Sequence, residues 1–194
     1  MTNRRSFSDH LSTNITVLLI LIGSMAGLYV IDNVLPVSLA YWGIIPRDTG
    51  SLMHIFTAPF IHGSLGHLVN NLVGLTVFSA ICMVRSLRFW LAASVFVITV
   101  GGLLVWLFGR SALHIGASGW IFGLWSILIA MAFFDRRLIN ILIALVVVIF
   151  YGGMAYGVLP TDPRISFESH LFGALAGALF AYLYSRANKS ARPT

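Results

Sequence analysis

Gly116-Ala117-Ser118-Gly119-Trp120-Ile121-Phe122-Gly123 opens an apolar run that continues to Phe134. A short polar break precedes it, and the run approaches the roughly 20 residues that a membrane-crossing helix needs. A serine framed by glycines at such a mouth has an ordinary explanation in packing. Small residues let membrane helices approach closely, and a hydroxyl can bond to its own helix backbone. A chemical role for Ser118 therefore has to be argued from whatever shares its depth.

Around that stretch the chain is of one kind. Of its 194 residues, 58% are hydrophobic and 9% charged, whereas soluble domains carry about a quarter charged residues. This is the composition of an integral membrane protein. Further apolar runs at about Ile15–Ile31, Leu65–Val84, Phe89–Phe108, Leu138–Val158 and Phe167–Tyr184 join Ser118–Phe134, so the pattern predicts an all-α bundle of six spans. The breaks are short except for Asp32–Ser64, which holds Pro36, Pro46 and Pro59 with several aromatics and is expected to lie along the interface. Residues 1–14 and 185–194 read as short tails flanking one domain over 15–184. No linker or low-complexity tract divides that domain. The lone Cys82 lies inside an apolar run and is expected to be a packing residue.

The net charge of +6 orients the chain and does not indicate nucleic acid, because the distribution of the cations is what is informative. Arg4, Arg5, Arg85, Arg88, Arg136, Arg137, Arg186, Lys189 and Arg192 flank spans on the side of the termini, leaving Arg47, Arg110 and Arg164 for the other. The positive-inside rule then makes both termini cytoplasmic. The paired arginines of Asn3-Arg4-Arg5-Ser6-Phe7 also occur in export signals, but no small-residue cleavage site follows, and the segment reads as a retained anchor. With this orientation the second, fourth and sixth spans all begin at the outer face.

Their first turns carry His67 and Asn71, then Ser118, then His170. Polar groups at membrane depth are costly unless they face a partner or a wet cavity, so a level cluster from three segments marks a functional site. Two G-x-x-x-G ridges, Gly119/Gly123 and Gly173/Gly177, permit close contact of the fourth and sixth helices, which would bring Ser118 and His170 together. A neutral imidazole within reach can take the serine proton and later return one to a leaving amine. His67 and Asn71, four apart on one helical face, can donate to an oxyanion beside the Ser118 amide. Glu168 should point away from His170, Asp162 is in the preceding loop and Asp135 is at the opposite face, so the reading is a dyad.

Taken together these residues resemble the rhomboid intramembrane serine proteases. Gly116-Ala117-Ser118-Gly119 resembles their G-x-S-G, His62-x4-His67-x3-Asn71 their second-span signature, and His170-x2-Gly173-x3-Gly177 their last-span signature. The resemblance implies a minimal six-span bacterial form with Ser118 as nucleophile, His170 as general base, and His67 and Asn71 as oxyanion stabilisers. His62, Gly116, Gly119, Phe122, Gly173 and Gly177 become site architecture, with Phe122 where these enzymes often carry a tyrosine stacked on the histidine. It further implies hydrolysis of single-span membrane proteins in the bacterial inner membrane, without metal, nucleotide or other cofactor. Met53-His54 stand where many rhomboids have Trp-Arg, so the first long loop is expected to be held differently. Residues 159–166 are a candidate cap over the site. Two other classes compete: a small transporter, opposed by the apolar inner halves of the even spans, and an inactive rhomboid-like protein binding membrane clients, opposed by the retained Ser118 and His170.

Overall fold

A computed structural model describes residues 7–34, 36, 38–162 and 165–190. Asn3–Ser6 with the paired arginines, Arg192 and two residues of the candidate cap, Pro163 and Arg164, lie outside the described residues. Each apolar run forms a helix: α1 (Phe7–Val34), α2 (Leu65–Arg85), α3 (Leu87–Phe108), α4 (Ser118–Phe134), α5 (Leu138–Tyr151) and α6 (Phe167–Ser190). By length and composition four stretches can cross a membrane, namely Ser8–Val34, Leu65–Arg85, Leu87–Phe108 and Leu138–Val158, while Ser118–Phe134 is apolar but shorter. α6 is long enough, but Glu168, Ser169 and His170 in its opening turns lower its apolar character.

The helix ends differ from the apolar runs where polar residues continue the helix. α1 starts at Phe7, eight residues before the run, and Thr13 Oγ1 bonds back to the Asp9 carbonyl at 2.7 Å. α6 continues past Tyr184 through Arg186 and Lys189 to Ser190. α5 ends early, at Tyr151, and the chain passes into a 3-10 helix over Gly152–Val158. Gly152, Gly153 and Gly157 disfavour a regular α-helix there. Between α2 and α3 the single residue Ser86 ends one helix and caps the next, its hydroxyl accepting the Phe89 N–H at 3.0 Å.

Burial explains the arrangement. α4 is buried on nearly every side, with Trp120, Ile121, Leu124, Ile127 and Met131 all in the core, as expected of a helix that is apolar all round. α2, α3, α5 and α6 pack against it. α1 and α5 instead leave Leu19, Ile20, Leu145, Ile149 and Phe150 exposed, an apolar outer surface of the kind that lipid covers. Cys82 is buried in the core and unpaired.

The α4–α6 contact is backbone against backbone. A Cβ on Gly173 would collide with the Gly119 carbonyl, and one on Gly177 with the Gly123 carbonyl and Ser126 Oγ. Ser126 Oγ donates across the seam to the Ala174 carbonyl at 2.7 Å. The two G-x-x-x-G ridges therefore meet, in the register their spacing suggests.

Between α1 and α2 three short 3-10 helices, Leu39–Trp42, Thr49–Phe56 and Ala58–Phe60, organise the long connection. Its anchors are Arg47 and Trp106. The Arg47 guanidinium donates to the Gly109 carbonyl at 2.8 Å and to Ser111 Oγ at 3.1 Å, and Trp106 Nε1 donates to the Asp48 carbonyl at 2.8 Å. Arg47 adopts a left-handed φ of 64°, unusual for a side-chain-bearing residue, and the fork of bonds holds it there. At Met53-His54, Met53 is exposed, whereas His54 Nδ1 pairs with the Gly43 carbonyl at 3.0 Å within the segment.

Candidate active site

The starts of α2, α4 and α6 meet at one end of the bundle. Ser64 caps α2, accepting the His67 N–H at 3.2 Å, and so fixes the turn that carries His67 and Asn71. Asn71 is buried and donates through Nδ2 to the His67 carbonyl at 3.0 Å. One amide proton of Asn71 is thereby used, and the other is available as a donor. Gly116 closes against this pair. Its φ is +102°, and a Cβ would strike His67 Nε2 and lie 3.4 Å from Asn71 Nδ2. Only glycine suits both the backbone angle and the space.

Ser118 is the first residue of α4 and partly exposed. Phe122, one turn on along the same face, lies flat on the His170 ring, with centroids 4.2 Å apart and planes 6° from parallel. Ser118 therefore stands on the His170 side of α4, immediately before the Gly119 contact with α6. Among the described residues no hydrogen bond joins Ser118 Oγ to His170.

His170 is tied by its other nitrogen. Nδ1 lies 2.8 Å from the Gly157 carbonyl, and because a carbonyl only accepts, the ring proton is on Nδ1. In the neutral imidazole Nε2 then carries the lone pair, the state a general base requires. Gly157 is itself constrained, since a Cβ there would press on Phe122 and come within 3.4 Å of His170 Nδ1. Glu168, two residues from His170, turns away to Arg110, accepting its backbone N–H at 3.3 Å with the guanidinium 3.6 Å off.

His62 lies outside α2 and is 2% exposed. Its ring packs edge-on against His67 at 5.0 Å, and Nδ1 approaches the Phe60 carbonyl at 3.3 Å. Burial, followed by the neighbouring His67, pushes the His62 pKa down to about 4, so this ring is neutral at ordinary pH.

Two participants escape a reading of the sequence alone. Gly157 acts through its carbonyl, which no side-chain pattern reveals. His114, between α3 and α4, is buried and links several segments. The available signal was a histidine two residues before Gly116, in the polar break that leads to Ser118.

The family model of the Rhomboid domain matches residues 49–187. An uncharacterized protein of Mycobacterium tuberculosis is 35% identical over 159 residues, 77% of this chain and 66% of that protein. One from Mycobacterium leprae is 36% identical over 182 residues, 87% of this chain and 71% of its own length. Rhomboid-like protein 11, chloroplastic, of Arabidopsis thaliana is 31% identical over 150 residues, 67% and 51% of the two chains. The chain belongs to the rhomboid family and is an integral membrane protein. It spans about two thirds of the Mycobacterium tuberculosis relative.

Proposed function

We propose that this protein is an intramembrane serine endopeptidase that cuts single-span membrane proteins near the outer end of their transmembrane segments. The observation that carries this reading is the setting of His170. Its Nδ1 is committed to the Gly157 carbonyl and its ring is flattened against Phe122, one turn after Ser118, so that Nε2 carries the lone pair this reading assigns to the base. In this reading His170 removes the Ser118 proton as Oγ attacks the scissile carbonyl, then delivers it to the departing amine. Water repeats the cycle on the acyl-enzyme. His67, Asn71 and the free amides at the start of α4 donate to the oxyanion, and Gly116 keeps room for it beside His67.

Six spans, 15–184, cross the bacterial inner membrane with both termini cytoplasmic and the site toward the outer face. The 17 residues of α4 extend about 25 Å, less than the roughly 30 Å hydrocarbon core, which supports a Ser118 set below the membrane surface. A transmembrane helix hides its peptide bonds in its own hydrogen bonding, so substrates need Gly, Pro or other helix-weakening residues near the cut. A small residue before the cleaved bond and a cap formed by 159–166 complete the proposal.

The test is cleavage of a model single-span substrate by purified protein, comparing wild type with Ser118→Ala and His170→Ala. Cleavage abolished in both variants supports the dyad. Undiminished cleavage in either variant removes that residue from the mechanism, and a wild type silent across several helix-weakened substrates favours an inactive client-binding protein.

A further inference from the structure

His114 is 2% exposed and makes three kinds of contact. Its backbone pairs with Ile44 of the long connection, N–H to carbonyl at 2.9 Å in each direction. Its Nε2 lies 3.1 Å from the Arg110 carbonyl, and its Nδ1 lies 2.5 Å from Ser166 Oγ. The Arg110 carbonyl only accepts, so the ring proton is on Nε2 and Nδ1 must accept from the Ser166 hydroxyl. Ser166 immediately precedes α6, and its Oγ accepts the Ser169 N–H at 3.3 Å, the contact of a helix cap. Ser169 Oγ is 2.6 Å from Ser166 Oγ. With the Ser166 proton already given to His114, Ser169 is the donor. The result is one directed chain, from Ser169 through Ser166 and His114 to the Arg110 carbonyl.

The Ser169 end of this chain lies at the seam between the two helices that carry Ser118 and His170. Ser169 precedes His170, and its carbonyl would lie 3.0 Å from a Cβ on Gly119, the neighbour of Ser118. Arg110 reinforces the grip, its guanidinium donating to the Ile165 carbonyl at 2.8 Å. The loop that delivers the nucleophile thus holds the cap of the helix that delivers the base. We infer that His114 is a positioning residue, which fixes the first turn of α6, and so His170, against the loop entering Ser118. This rests on the protease reading above. Misplacement of a catalytic group by about 1 Å can cost on the order of a hundredfold, so a side chain that sets this register should govern turnover more than substrate binding.

The experiment measures kcat and KM for His114→Ala, Ser166→Ala, the double variant and His114→Asn, each rate divided by the amount of Ser118 that a fluorophosphonate labels at completion. That division removes any unfolded fraction, so a merely structural role leaves turnover per labelled site unchanged. Expected is a loss of about tenfold or more in kcat per labelled site for each single variant, with KM within about twofold. The double variant should lose no more than the worse single, because both cut one chain. His114→Asn, whose amide oxygen can accept from Ser166, should recover most of the rate. Wild-type turnover in His114→Ala, or losses that multiply in the double variant, overturns the inference while leaving the protease reading intact. Should His114→Ala fail to fold, Ser166→Ala and His114→Asn carry the same test. A wild type that neither cleaves nor labels overturns the protease reading itself, and the positioning role with it.

Discussion

Replacing His62 with asparagine should flatten part of the acid limb of stability. His62 is sealed in the turn before α2, edge-on to His67, and its pKa falls from 6.5 to about 4, chiefly because burial disfavours the charged ring. The unfolded chain takes up this proton near 6.5 while the folded one resists until about 4. Between those values the unfolded state binds more protons, so stability rises with pH there: the full contribution is present above 6.5 and is gone by about 4. A window of about 2.5 pH units at about 1.36 kcal/mol per unit gives about 3 kcal/mol. Asparagine can keep an N–H near the Nδ1 position for the Phe60 carbonyl but does not titrate. Its packing loss shifts the whole curve and leaves the slope alone. The assay is unfolding in mixed micelles, wild type beside His62→Asn, from about pH 7.5 down to about pH 4. Wild type should lose about 3 kcal/mol more than the variant across that range. Parallel curves would refute the buried, neutral His62.

Gly173→Val puts a branched side chain into the Gly119 carbonyl, and should cost about 1–3 kcal/mol or more in unfolding and abolish cleavage. Phe122→Leu removes a ring stacked 4.2 Å from His170, an interaction of about 0.5–1.5 kcal/mol, so cleavage should slow by up to about tenfold with KM unchanged. Asn71→Ala withdraws the buried amide to which the protease reading gives an oxyanion bond, and should lower kcat by about a hundredfold or more, which steady-state kinetics on the same substrate will read. Arg47→Ala releases the long connection from Gly109 and Ser111, costing about 1–2 kcal/mol. Arg47→Lys should not restore this in the same unfolding assay, because one ammonium cannot reproduce the fork.

Much of the site could be read from the sequence because its logic is periodic. Ser118 and Phe122, His67 and Asn71, and Gly173 and Gly177 are each four apart on a helix, and that spacing is the geometry. The glycine ridges gave the seam for the same reason, a missing Cβ being a feature of residue type. The rest depends on main-chain atoms and loops. Gly157 contributes a carbonyl, which every residue has, and its position follows from α5 loosening into a 3-10 helix. His114 bonds to Ser166 across 52 positions of chain, a pairing no local period encodes. Arg47 reads from the sequence as one of the outer-side cations, and its added role in holding the long connection comes from the left-handed turn that aims it at the end of α3. The helix ends moved because hydropathy marks where lipid would lie, whereas helical hydrogen bonding continues into polar sequence at α1 and α6.

The glycine seam divides the molecule into parts with different freedom. Where carbonyls and α-carbons touch directly, no rotamer is left to change, so the approach of α4 to α6 along Gly119, Gly123, Gly173 and Gly177 is inherited from the main chain, while the first turn of α6 beyond it still depends on its contact with His114. Other contacts are made by long side chains, such as Phe78 on Tyr151 between α2 and the end of α5, and these can slide and repack. In the protease reading, an opening that admits an extended substrate is therefore expected in such side-chain contacts and not in the α4–α6 seam.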